Sequence, residues 1–169
     1  MYKRQSLGQA SKFTSPNPLT VVCTETPAGK TNLAPVSWWN YLSFNPNIIC
    51  FAMAKTSYSG EMVRQNKQVV LAMPGVSIAD AIMTCGSLSG RDIDKAEELA
   101  IELIDLPEGA IKVPAHSRIA IQCQLMNTVE AGDHWLYLCT VDHVYIVAKE
   151  EALFAWNGYA KLRPAKMAD

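Results

Sequence analysis

The strongest constraint on the fold lies between Arg118 and Ala148. Ile119, Ile121, Cys123 and Leu125 fall on alternate positions of the run Arg118–Met126, the period of a half-buried β-strand. Glu130-Ala131-Gly132-Asp133 then reads as a hairpin turn, and His134–Ala148 continues as a long strand, apolar on both sides for most of its length. This pattern commits a large part of the chain to antiparallel pairing.

The remaining segments extend that reading. Residues 1–17 are polar and are expected to form an extended arm, leaving 18–169 as a single domain. Leu19–Thr26 is β-branched and reads as a strand; Pro27–Lys30 is a turn. Thr31–Pro46 should begin as a short strand and become irregular, with a helical turn around Trp38–Leu42. Ile48–Ala54 is a continuous apolar run, expected to be a strand buried on both faces. A short helix carrying Met62 and Val63 follows, capped by Ser57 or Ser59. Gln68–Met73 is a further strand ended by Pro74-Gly75, and Ser77–Gly86 is a short helix. Asp92–Leu106 places Ile93, Ala96, Leu99, Ala100 and Leu103 on one face of an amphipathic helix. Phe154–Leu162 is a closing aromatic segment. About six strands with few, short helices predict a mainly β fold, an antiparallel β-barrel with peripheral helices.

The length of 169 residues suits one domain with its own core. At 49% hydrophobic and 18% charged residues, the chain is no disordered polymer. No apolar run reaches the length of a membrane helix. A net charge of −1 gives no basic footprint, so neither nucleic acid nor membrane is expected as a partner. The five cysteines are odd in number and form no Cys-x-x-Cys pair. The amino-terminal stretch has Lys3 and Arg4 without a following apolar region, so it does not read as a secretory signal. A reducing cytoplasm is the expected setting, with buried cysteines acting as small hydrophobes. Two of them meeting as a redox couple is the alternative.

Lys55, Thr56, Ser57 and Ser59 stand where a buried strand meets a helix start. That combination suits an anion, through free N–H groups, a helix dipole, a cation and hydroxyl donors; on composition alone an ordinary helix cap with a solvated lysine is the favoured reading. Neither GxGxxG, GxxxxGK[ST] nor GxSxG is present. His116, His134 and His143 lack zinc spacing, so no metal site is expected. His134 follows the hairpin turn, where it could face a cleft or simply sit at a strand edge. Trp38, Trp39, Trp156 and Tyr159 read as core or interface residues.

Four blocks nevertheless resemble, in order, the flavin reductase-like family of FMN-binding split barrels, and within it the flavoredoxin-like branch. They are TNLAPVSWWNYLSFNP (31–46), AKTSYSGEMV (54–63), CGSLSGRDIDKAE (85–97), and GDHWLYLCTV (132–141) with LFAWNGYAKL (153–162). The resemblance implies a homodimer with FMN near the subunit interface. It implies that Asn32, Ala34, Pro35, Val36 and Ser37 run along the isoalloxazine, and that Lys55, Thr56, Ser57 and Ser59 hold the phosphate. Ser89, Gly90 and Lys95 would complete the pocket, from the same subunit or its partner. His134 would be the catalytic-face residue where a nicotinamide approaches. The chain departs from the family at Cys139 (glycine), Thr140 (acidic), Asn47 (proline) and Ala72 (asparagine), the last removing a ribityl or ring contact.

The resemblance therefore implies an FMN-dependent oxidoreductase in which NADH or NADPH passes hydride to FMN. An electron-transfer flavoprotein that retains FMN and is reduced by a redox protein partner is the alternative, as is a non-catalytic flavin-binding protein.

Overall fold

The computed structural model describes residues 2–147 and 149–165. In chain order the elements are α1 (Leu7–Phe13), β1 (Asn17–Pro18), β2 (Thr20–Glu25), β3 (Thr31–Val36), β4 (Trp39–Phe44), β5 (Asn47–Ala54), α2 (Tyr58–Asn66), β6 (Gln68–Pro74), α3 (Ala79–Cys85), α4 (Lys95–Glu98), β7 (Leu103–Ile104), β8 (Val113–Pro114), β9 (Ser117–Ala131), β10 (His134–Ile146), β11 (Leu153–Trp156) and β12 (Lys161–Pro164). No helix among the described residues is long and apolar enough to cross a membrane.

The main sheet has seven antiparallel strands in the order β3-β2-β6-β9-β10-β5-β4. The expected hairpin forms its centre: His134 pairs with Ala131 across a two-residue turn, and Gly132 takes φ +62° there, a conformation tight hairpins demand and glycine adopts without strain. Strand periodicity divides the apolar residues between two clusters. Val69, Leu71 and Met73 of β6 point inward with Phe51, Ile121, Cys123 and Tyr137. Val70 and Ala72 point outward with Val21, Cys23 and Leu33, where Ile82, Cys85 and Ala96 of the helices cover them. The inner cluster also receives Val36 of β3 and Trp39 of β4, the two ends of the ladder. The sheet therefore curls around its core as a barrel whose ladder stays open, with helices outside, as expected.

Several local expectations fail for identifiable reasons. Residues 1–17 are not extended throughout: Ser6 accepts the Gln9 amide and starts α1, and β1 pairs with β11. The segment expected to be helical around Trp38–Leu42 is strand β4, because its backbone groups find partners along β5 from Trp39–Phe51 to Phe44–Asn47. In β5, Ala52 and Ala54 are only half-buried, so this strand is not covered on both faces. The amphipathic helix expected over Asp92–Leu106 stops at Glu98. Ala100 turns to φ +50°, and the Ala100 and Ile101 amides bond the Glu97 and Ala96 carbonyls at 3.2 and 2.8 Å, a Schellman closure. Ile101 is thereby buried, and Leu103–Ile104 pairs with β8 instead. All five cysteines are free and buried. Of the tryptophans, Trp39 packs on the inner core, Trp156 donates its indole N–H to the Arg163 carbonyl at 3.3 Å, and Trp38 is 57% exposed.

Candidate functional site

The chain leaves β5 at Ala54 and enters α2 through Ser57. The Ser57 Oγ accepts the Gly60 amide at 3.2 Å, so of the two candidate caps it is Ser57 that closes the helix start. Its own hydroxyl proton is directed to the Met53 thioether at 3.9 Å, a weak acceptor. Ser59 lies in the first turn, buried. Thr56, Ser57 and Ser59 all face a cavity of about 520 Å³, at the positive end of the helix dipole.

Every other wall comes from a neighbouring element. Ala34, Pro35 and Val36 of β3, with Ser37 and Trp38, form one side; Ala52, Met53 and Ala54 of β5 form another. Leu88, Ser89 and Gly90 enter from the loop after α3, and Lys95, His134 and Tyr159 complete the lining. The structure thus brings together Ala34, Pro35, Val36, Ser37, Thr56, Ser57, Ser59, Ser89, Gly90, Lys95 and His134. Ser89, Gly90 and Lys95 reach this cavity from the same chain, so their presence there requires no partner subunit.

Two expected residues are placed differently. Lys55 does not line the cavity. The hairpin register brings Glu130 beside it; the two form an ion pair, and the Lys55 ammonium lies 5.6 Å from the Trp135 ring centroid. Asn32 is buried behind the wall, 3% exposed. Its Nδ2 donates to Ser59 Oγ at 2.6 Å, while its Oδ1 has no partner among the described residues. It borders a second cavity of about 460 Å³, which shares Tyr58, Gly90 and Lys95 with the first. Position 90 must be glycine for this packing, since a Cβ there would fall 2.0 Å from Asn32 Oδ1.

Lys95 is 5% exposed. Its Nζ donates to the Leu33 carbonyl at 2.8 Å and the Cys85 carbonyl at 3.1 Å, which fixes α4 to β3 and to the end of α3. Burial lowers its pKa below the usual lysine range, opposed by Cys85. His134 places Nδ1 2.7 Å from Asp133 Oδ1 and its ring 5.0 Å from the Trp38 ring. The hydrogen bond from His134 holds the Asp133 carboxyl below the usual carboxylate range, and leaves Nε2 as the outer ring nitrogen.

Sequence reasoning missed Trp38, Ala52, Met53, Ala54, Tyr58, Gly86, Leu88, Gly158 and Tyr159 as lining residues. The small alanines alternating along β5 were one available signal of a cavity-facing strand. Asn157-Gly158, a turn dipeptide before an aromatic, was another.

Residues 13–163 match the family described as Flavin reductase like domain. The chain belongs to that family. Among flavin reductase-like relatives, a Pseudomonas putida protein named flavin reductase is 26% identical over 147 residues, 82% of this chain and 80% of that one. An uncharacterized Archaeoglobus fulgidus protein is 27% identical over 117 residues, 68% of this chain and 65% of its own. An Aeropyrum pernix protein is 26% identical over 130 residues, 76% of this chain and 49% of its own. The matched region thus spans about two thirds and about half of those two archaeal relatives. Among solved structures, flavoredoxin from Methanosarcina acetivorans superposes with TM-score 0.84 at 17% identity, covering 100% of this chain and 93% of that one. An FMN-binding protein from Thermus thermophilus, solved with bound 1-cyclohex-2-enone, gives TM-score 0.84 at 18% identity, covering 100% and 98%. The fold of this chain is the split barrel of the flavin reductase-like family.

Proposed function

We propose that the chain is an FMN-dependent oxidoreductase of the NAD(P)H:flavin reductase type. The observation that carries this reading is the meeting of an apolar barrel wall with the amino end of α2 in one cavity of a flavin reductase-like domain. Ala34, Pro35, Val36 and Leu88 offer flat, apolar surface for a ring system. Thr56, Ser57 and Ser59 offer hydroxyl donors beside the helix start for a phosphate dianion. The Ser57 proton, which meets a thioether, gains a far better acceptor in a phosphate oxygen. Asn32 braces Ser59 from behind rather than touching the ring. When bound, FMN supplies the hydride- and electron-accepting chemistry.

His134 and the exposed Trp38 mark the cavity mouth and are the residues a nicotinamide would meet. A homodimer belongs to the same reading, supported by Tyr41 and Phe44, exposed side by side on edge strand β4 and suited to a symmetric partner. Light scattering should give about twice 18.6 kDa; a monomer that binds FMN fully would remove the dimer from the reading. Five free, buried cysteines fit a reducing cytoplasm. The aromatic rim also favours a second reading, a retained FMN that is reduced by a docking redox protein. The deciding experiment is the absorption spectrum of the purified protein, followed by anaerobic addition of NADH and NADPH. Bleaching by either nucleotide supports the reductase. A bound flavin that neither bleaches supports the electron-transfer protein, and a chain that binds no flavin defeats both.

A further inference from the structure

The loop 86–94, between α3 and α4, stands between two spaces. Gly86, Leu88, Ser89 and Gly90 form part of the wall of the first cavity, which the start of α2 also lines. Arg91, Asp92, Ile93 and Asp94 border the second cavity, together with Pro27, Ala28 and Lys30 of the β2–β3 turn. No residue from 86 to 94 is buried. Both ends of the loop are nonetheless fixed. The Cys85 thiol donates to the Leu33 carbonyl at 3.3 Å, Lys95 holds the Leu33 and Cys85 carbonyls, and the Lys30 ammonium meets Asp94 Oδ2 at 2.9 Å. The tip between them bonds to itself. The Asp92 and Ile93 amides donate to the Ser89 carbonyl at 3.2 and 3.4 Å, and the Arg91 amide donates to Ser89 Oγ at 3.2 Å. Among the described residues, one polar link joins the tip to α2. The Arg91 guanidinium meets the Glu61 carboxylate at 2.5 Å and lies 4.9 Å from the Tyr58 ring centroid. Tyr58 and Glu61 belong to the first turn of α2, and Gln65 Nε2 steadies Glu61 at 3.2 Å.

A loop with anchored ends, an unburied tip and open space on both flanks is a low-stability segment, and a single contact sets the position of its tip. We infer that Arg91 and Glu61 form a clasp that governs flavin exchange. Closed, it holds the loop against α2 and keeps the flavin in its cavity. Open, it frees the tip to swing toward the second cavity and the flavin to pass. An exposed ion pair and one cation–π contact are both weak, which suits a gate that opens thermally. This deepens the flavin reading and rests on it. Arg91 and Glu61 are positioning residues, and the exchange rate they set separates a reductase that releases its flavin from a carrier that retains it.

The test is the kinetics of flavin exchange in Arg91→Gln and Glu61→Gln, followed in stopped flow by flavin fluorescence. Riboflavin is the decisive ligand, since it carries no phosphate on which either charge acts directly. Its dissociation should quicken roughly 2- to 5-fold in Glu61→Gln, and roughly 3- to 20-fold in Arg91→Gln, which also gives up the Tyr58 face. The double variant should be no faster than Arg91→Gln, because the two residues act as one pair. A gate is crossed on the way in and on the way out, so association should quicken by the same factor and affinity should barely change. Added salt should quicken riboflavin exchange in the wild type and leave both variants as they are. Faster dissociation with unchanged association overturns the inference, making the pair a support of the cavity wall. Opposite effects of the two variants on FMN, with none on riboflavin, overturn it as well and make Arg91 a partner of the phosphate. Riboflavin exchange at the wild-type rate in both variants also overturns it. A wild-type chain that binds neither flavin overturns the functional reading, and this inference with it.

Discussion

Ser57 accepts the Gly60 amide and faces the cavity with the same hydroxyl, so its loss acts on the fold and the ligand together. In the double variant Ser57→Ala with Ser59→Ala, two hydroxyl donors to a phosphate disappear. Charge-assisted bonds are each worth about 1.5–3 kcal/mol, so FMN affinity should fall ~100-fold or more, while riboflavin, which lacks the phosphate, binds as before. Denaturant melts should show a separate loss of roughly 2–4 kcal/mol, about 1 from the missing cap and about 1–3 from the buried Asn32 amide left without Ser59. Riboflavin bound by the wild type as tightly as FMN would remove these hydroxyls from the phosphate site. His134 is hydrogen-bonded to the exposed Asp133, so His134→Ala should shift stability by no more than about 0.5 kcal/mol. Reduction by NADH or NADPH in stopped flow should slow, with FMN affinity unchanged; equal loss of affinity and fold would make the residue structural. Lys55 is occupied by Glu130 at the surface, and Lys55→Ala should cost FMN binding less than Ser57→Ala does.

At the scale of elements, α4 ends on an alanine where glycine is the usual residue. Ala100→Gly should relieve the penalty of φ +50° and raise the melting temperature by about 2–4 °C, read by calorimetry; a lower melting temperature would mean that the Ala100 methyl packs usefully. The same residue explains why this region was illegible in the sequence. Ile93, Ala96, Leu99, Ala100 and Leu103 keep helical spacing, yet Ile101 buries itself by turning out of the helix after one turn, and the apolar period serves a loop against the barrel. β4 was illegible for a related reason: Trp39–Phe44 gains its partners from β5, a pairing that local sequence does not carry. β9 was legible by its period of two, and β6 as a continuous apolar run whose alternate residues feed two separate cores. Most of the cavity was legible through the four blocks, since local segments entering α2 and leaving α3 carry it. Lys55 and Asn32 were misplaced because backbone position alone does not say whether a side chain meets the cavity, an ion-pair partner or the inside of the wall.

For the whole molecule, the buried thiols set its behaviour in alkali. Burial pushes Cys139 up to about 12, and raises Cys23 and Cys123 further. In the unfolded chain these thiols ionise near pH 9. Below that pH both states keep their protons and stability is complete; above it the unfolded chain releases protons that the folded one retains, and stability falls by up to about 1.4 kcal/mol per pH unit for each such thiol. Lys95, with its pKa lowered by burial, works in the opposite direction below the ordinary lysine range, but burial also raises Cys50, Cys85, Tyr137 and Tyr159, which add to the effect of the three thiols. Urea midpoints should therefore drop steadily from pH 9 to 11, and a flat profile would show that the thiols are reached by solvent. The strand order has a consequence for biosynthesis. β5 lies between β4 and β10, so a nascent β4–β5 hairpin leaves the ribosome long before the strand that joins it to the rest of the sheet. Until the β9–β10 hairpin emerges, Ile49, Phe51 and Met53 wait on an open β-edge. That interval, rather than the finished barrel, is where a chaperone would find this protein.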